Sequence, residues 1–197
     1  MSVEQALGDF VSHYLKTYPR LEEAYDRQWR SACEIGDPIS GEDGIERILW
    51  QPVKRHPDTI GEDFSGLEDA LEVAIHPDIK AYYGAYFCGG LEADAPAGHV
   101  SLILLWNNED LVRLIENLIG HALAKQRAKS PFSVFFACTE PESDLFLSVD
   151  NTSGAVMLER PGHKPLRQVA DNLAEFLDTL VPAAPEVHPE RALLRSP

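Results

Sequence analysis

Basic residues are scarce in this chain: seventeen Lys and Arg stand against thirty-two Asp and Glu among 197 residues, a formal net charge of −15. That deficit argues against nucleic acid as a partner, because phosphates would be repelled. It argues equally against direct adsorption to anionic lipid headgroups, which attract polybasic surfaces. Cysteine is also sparse. Cys33, Cys88 and Cys138 lie far apart, form an odd set and include no C-x-x-C pair, so neither a zinc knuckle nor a disulfide framework is signalled. They read as buried or semi-buried free thiols in a reducing cytoplasm. No long apolar run exists: the stretch Leu102 to Trp106 falls far short of the ~20 residues needed to span a bilayer. Met1-Ser2-Val3-Glu4-Gln5 lacks the basic start and apolar core of a signal peptide. The expectation is a cytoplasmic protein with nothing crossing a membrane.

Catalytic signatures are missing too. There is no G-x-S-x-G elbow, no H-E-x-x-H, no P-loop and no G-x-G-x-x-G. The seven histidines (His13, His56, His76, His99, His121, His163, His188) have no partner at metal-ligand spacing. His121 reads as a hydrogen-bonded structural residue, with a general base as the sharper alternative. Glu68 and Glu72, four residues apart on one helical face, are a solvated or contact surface before they are a general acid–base pair. The chain is therefore read as a binding protein and not an enzyme, with no cofactor, no metal and no small-molecule substrate.

What is present is an ordinary globular composition, 44% hydrophobic and 25% charged, sized for one domain over residues 1–181. A Pro-rich stretch, 182–197, reads as a disordered tail. Ser2 and Gln5 form a capping box before a helix carrying Ala6, Leu7, Phe10, Val11, Tyr14 and Leu15, which Pro19 stops. Residues 20–44 read as loop with a short helix near Arg20 to Trp29, and 45–53 as a strand. A second capping box, Ser65-x-x-Glu68, opens a helix towards Ile75, and helical spacing returns from Asp78 to Phe87. Strands at 91–95 and 100–106 can pair as a hairpin. The longest helix starts at Asn107 or Asn108 and buries Leu111, Leu114, Ile115, Leu118, Ile119, Ala122 and Leu123. Strands at 132–137, 145–149 and 155–158 follow, and a last helix after Pro165 turns Val169, Leu173, Phe176, Leu177 and Leu180 inward. This order suits an α+β single domain with a mostly antiparallel sheet flanked by helices.

The negative charge is concentrated. From Glu34 to Asp78 twelve acidic residues face only Arg47, Lys54 and Arg55, so a basic partner would be welcome there and an acidic one would not.

Trp50-Gln51-Pro52, Glu116-Asn117-Leu118-Ile119-Gly120-His121, Val149-Asp150-Asn151-Thr152-Ser153-Gly154-Ala155-Val156 and Asp171-Asn172-Leu173-Ala174-Glu175-Phe176-Leu177 occur in this order. Together they resemble the Syd family, over roughly residues 45–182. The resemblance implies a SUKH-like fold and loose, peripheral attachment to the cytoplasmic side of the bacterial inner membrane, through the cytoplasmic loops of the SecY channel. It implies an acidic concave surface that receives those loops, so that the protein regulates or sequesters unassembled SecY. Membrane proteins concentrate Lys and Arg in their cytoplasmic loops, which gives such docking a physical basis without lipid insertion. The candidate steering residues are Glu62, Asp63, Glu68, Asp69, Glu72 and Asp78; Trp50, Tyr82 and Tyr83 are the candidate anchors, each with core packing as its alternative. Rival readings are an immunity-type protein neutralising a basic toxin, and a hydrolase built on carboxylates and His121.

Overall fold

Helix α1 (Val3–Thr17) begins where the sequence asks it to, with the Ser2 hydroxyl accepting the Gln5 N–H at 3.2 Å. It turns Val3, Ala6, Leu7, Phe10, Val11 and Tyr14 into the core and ends before Pro19. In the computed structural model, which describes residues 1–56, 63–140 and 142–185, the chain continues through twelve strands and four further helices.

Residues 20–44 hold no helix, and past Arg20 are loop and turn only over 25–33 and 41–44. They form strands β1 (Leu21–Ala24) and β2 (Glu34–Ser40), which flank β3 (Glu46–Trp50) in an antiparallel sheet of order β1-β3-β2. β2 hides its character for a physical reason. It is an exposed edge strand with Gly36 at φ 71°, Pro38 and a register shift between Ile35 and Ile39, so no apolar alternation marks it. Val53–Lys54 (β4) then pairs with Tyr86–Phe87 (β5).

Between those two strands lie α2 (Ser65–Leu71) and α3 (Pro77–Ala85). Ser65 is not the N-cap: it is the first helical residue, and the N-cap position is Phe64, whose side chain makes no cap hydrogen bond. Glu68, the expected reciprocal partner, instead binds Lys80 and accepts the Ile75 N–H at 2.8 Å. α2 stops at Leu71, short of Ile75, with Glu72 left-handed at φ 53°.

The main sheet has seven antiparallel strands in the order β11-β10-β9-β8-β7-β6-β12. They are β6 (Leu91–Ala95), β7 (Gly98–Leu102), β8 (Ser133–Cys138), β9 (Phe146–Asp150), β10 (Val156–Glu159), β11 (Arg167–Ala170) and β12 (Val181–Pro182). The expected helix after Pro165 is thus strand β11 followed by the short α5 (Leu173–Asp178), capped by Asn172. Pro182 belongs to the sheet edge, opposite Ala93, and not to a tail; residues 186–197 of that stretch lie outside the described residues.

One face of the sheet packs on α1, α3 and α5; Phe136 meets Tyr82 and Phe176 edge-on at 5.7 and 5.6 Å between centroids. The other face carries α4 (Asn108–Arg127), whose N-cap Asn107 accepts the Asp110 N–H at 2.9 Å. Here a buried Lys125–Glu159 ion pair, with the Ser148 hydroxyl donating to Glu159 at 2.7 Å, fastens α4 to β9 and β10. The three-stranded sheet is stitched on where Trp106 Nε1 donates to the Trp29 carbonyl and Asn107 Nδ2 to that of Arg30.

Candidate partner-binding site

The aromatic anchors expected from the sequence are core residues. Trp50 is 4% exposed, and Tyr82 and Tyr83 are fully buried. Trp50 stacks edge-on against Trp106 and lies so close to Gly89 that a Cβ there would stand 2.8 Å from its ring. That contact, not a turn, is what Gly89 serves. The two tyrosines point their hydroxyls at backbone carbonyls of β8, Tyr82 at Phe136 (3.3 Å) and Tyr83 at Phe135 (2.7 Å). Burial raises both phenols far above their ordinary range. Polar tips satisfied inside the protein let these residues serve as core, so helical spacing alone did not distinguish them from an exposed stripe.

The candidate acids divide. Asp63 is engaged inward, bridging both Arg55 guanidinium nitrogens at 2.5 and 3.0 Å with side chains 7% and 2% exposed. Arg55 also donates to the Tyr83 carbonyl and stacks on Phe87, so this pair holds α3 to β5. The Glu68 carboxyl is held below its usual range by the Lys80 ammonium and the Ile75 N–H. Neither is a free steering charge. Glu62 lies outside the described residues. Asp69 and Glu72 are exposed, and Asp78 is half-buried in the first turn of α3.

Asp78 has company that the sequence did not point to. It lines a cleft of about 520 Å³ together with Glu4, Glu175 and Asp178, over a floor that includes Val3, Pro77, Ala81 and Ala174. No Lys, Arg or His is among the lining residues. Three N-termini converge here because α1, α3 and α5 pack on the same face of the sheet. Glu4, Asp78 and Glu175 each occupy the first turn of one of these helices, where the macrodipole favours a carboxylate. Asp178 ends α5, where the dipole disfavours it, and sits three residues from Glu175 on the same face. The signal available in the sequence was an acidic residue after each cap, in segments more than seventy residues apart.

Other clusters are accounted for structurally. His121 is half-buried against the rings of Phe132, Phe135 and Phe146, and its Nε2 lies 3.1 Å from the Ser133 hydroxyl. Desolvation pushes its pKa down; Glu159 opposes this and Lys125 adds to it. Its partner is a hydroxyl, not the acid that a hydrolytic pair would need. His99 sits between Glu92 (2.8 Å) and Asp94 (3.4 Å); burial opposes its protonation, and the two carboxylates outweigh it to raise its pKa. Among the described residues no group of three metal-ligating side chains comes together. Cys33 and Cys88 are buried and their thiols pushed up, whereas Cys138 is exposed. No described helix is long and apolar enough to cross a membrane.

Asn151 and Gly154 explain one of the family-like phrases. Asn151 accepts the His76 N–H at 2.9 Å and donates to the Ala74 carbonyl at 2.8 Å, tying the β9–β10 turn to the segment that starts α3. Gly154, at φ 78°, leaves room for the His76 ring, which a Cβ would meet at 2.7 Å. These contacts set the height of α3, and with it Asp78.

Comparison with known proteins agrees with this architecture. The family model described as Syd protein (SUKH-2) matches residues 4–182. Protein Syd of Pseudoalteromonas atlantica is 38% identical over 185 residues, covering 92% of this chain and 96% of its own. Protein Syd of Colwellia psychrerythraea is 40% identical over 192 residues, covering 91% and 92%. Protein Syd of Shewanella frigidimarina is 37% identical over 186 residues, covering 92% and 83%. A match of that length, running from the first turn of α1 to the edge strand β12, makes this chain a member of the Syd family.

Proposed function

We propose that this protein docks on basic cytoplasmic loops of the SecY channel at the inner membrane, and so sequesters or restrains unassembled SecY without catalysing a reaction. The observation that carries the reading is the cleft of Glu4, Asp78, Glu175 and Asp178, four carboxylates whose lining adds no basic side chain and, at Met1, a single amino group. Helix stability accounts for the first three carboxylates but not for Asp178. Loops of membrane proteins that face the cytoplasm are rich in Lys and Arg, and the net charge of −15 steers such a loop in while it repels lipid headgroups. Exposed ion pairs contribute about 0–1 kcal/mol each, so several must act together and salt must weaken them. Asp69 and Glu72 are exposed on α2 but are not among the residues lining the cleft, so they serve as the control for general negative charge.

The test is co-sedimentation of the purified protein with SecY-containing membranes at low and high salt. A variant carrying Glu4→Gln, Asp78→Asn, Glu175→Gln and Asp178→Asn is run beside one carrying Asp69→Asn and Glu72→Gln. Salt-sensitive binding that the first set abolishes and the second merely weakens is the expected result. A folded wild type that fails to bind at low salt removes the SecY reading; binding indifferent to the first set removes the cleft.

A further inference from the structure

Helix α4 has two apolar faces, and only one is covered. Leu114 and Leu118 are buried against the sheet, as an amphipathic helix requires. On the solvent side Val112 is 58%, Ile119 36% and Leu123 48% exposed. At 100° per residue these three fall within ~40° of helix circumference, a continuous stripe. Beyond Leu123 it opens into a groove of about 400 Å³ between α2 and α4, with Ala70, Leu71, Val73 and Phe132 among its lining residues. Exposed apolar side chains aligned on one helix face and running into a groove offer a docking surface.

The charges along the stripe identify the occupant. Glu109 and Glu116 lie at its N-terminal half and Arg127 at its C-terminal end, all exposed and in no described ion pair. Glu109 and Arg127 are separated by five whole turns, ~27 Å, so they share one azimuth. A two-fold axis midway between them, at the level of Leu118, sets each Glu109 over the Arg127 of an antiparallel copy. The same operation brings Val112 to within one residue's rise, ~1.5 Å, of Leu123's level, and Ile119 near its own counterpart. Gly120, beside the axis, has open space where a Cβ would stand, so two backbones can approach closely. A basic peptide would be suited by Glu109 and Glu116 but repelled at Arg127; a second copy of this chain pairs Glu109 with Arg127 at both ends of the stripe, against the mutual repulsion of the two Glu116 carboxylates, ~6 Å apart in level beside the axis. We infer that this protein self-associates through α4, as an antiparallel two-fold pair, on the face of the sheet opposite the acidic cleft. Each copy thereby keeps its cleft open, and the pair presents two.

The net charge of −15 opposes self-association, so the measurement belongs at physiological ionic strength, where the Debye length is about 8 Å. Sedimentation equilibrium of the full chain is the experiment, on wild type, Leu123→Glu, Glu109→Lys, Arg127→Glu and the double variant Glu109→Lys with Arg127→Glu. The wild type is expected to dimerise in the micromolar range. Leu123→Glu is expected to be monomeric with an unchanged unfolding midpoint, since its side chain is half-exposed. Each charge reversal alone is expected to weaken the dimer several-fold, and the double variant, which restores opposite charges across the axis, to recover it. A wild type monomeric throughout, a dimer indifferent to Leu123→Glu, or a double variant no tighter than its parents would overturn the inference.

Discussion

At the residue scale, the strongest commitments are charged groups buried against each other. Lys125 and Glu159 are 2% and 0% exposed at the side chain and face each other under α4. Taking two charges out of water is costly, and removing only one leaves the other uncompensated. Glu159→Ala is expected to lower the unfolding free energy by about 3–5 kcal/mol, measured by urea denaturation, whereas Lys125→Met with Glu159→Leu recovers most of that loss. His121 gives this region a pH signature. Burial holds its pKa below 6.5, so the fold prefers the neutral ring. The unfolded chain takes up a proton as pH falls through 6.5 and the folded one does not until lower pH, so stability declines as pH falls below 6.5. Above 6.5 both states are neutral and the contribution is fully present. The difference between wild type and His121→Gln, followed by urea midpoint against pH, is expected to be flat above that value and to narrow below it. Taking the difference cancels His99, whose raised pKa works in the opposite sense.

At the scale of elements, helix ends decide which sequence signals succeed. Asn107 and Asn172 cap α4 and α5 as their side chains allow, and Ser2 caps α1. Ser65-x-x-Glu68 has the same spelling and does not cap, because Glu68 is drawn to Lys80 and the chain enters α2 through Phe64. A motif of local type is overruled when a tertiary ion pair competes for the same carboxylate. The far end of α2 is also unfavourable, with non-glycine Glu72 in the left-handed region and an acid at a helix C-terminus. Glu72→Gly is expected to raise stability by about 1 kcal/mol, visible as a higher melting temperature. Asn107→Ala is expected to cost about 1–2 kcal/mol, since it removes both the cap of α4 and the tie to Arg30.

At the scale of the whole molecule, charge and stability pull against each other. The cleft assembles four carboxylates from three helices, one of them at a helix end that disfavours it. Asp178→Asn is therefore expected to stabilise the protein slightly, by about 0.3–1 kcal/mol, while weakening capture of a basic partner. Melting temperature and membrane co-sedimentation on one preparation check both halves; a loss of stability would show Asp178 to be structural. Two clefts on one α4-paired particle would add avidity for any partner that offers more than one basic segment.

Local pattern sufficed for the α+β class, for α1 and α4 with their caps, for the pairing of a strand at 91–95 with the one expected at 100–106 and found at 98–102, for the paired strands around Asn151–Gly154, and for the acidic character of the surface. These depend on period, on capping chemistry and on counting charges, all properties of neighbouring residues. Tertiary structure alone decided the rest. β2 and β11 are exposed or peripheral strands whose pairing is supplied by neighbours and not by alternation. Trp50, Tyr82 and Tyr83 became core because Gly89 and the β8 carbonyls receive them. Which acids stand together was likewise decided only when the sheet packed α1, α3 and α5 on one face. Coulomb interactions depend on distance in space, and sequence spacing does not carry it across the more than seventy residues between these helices.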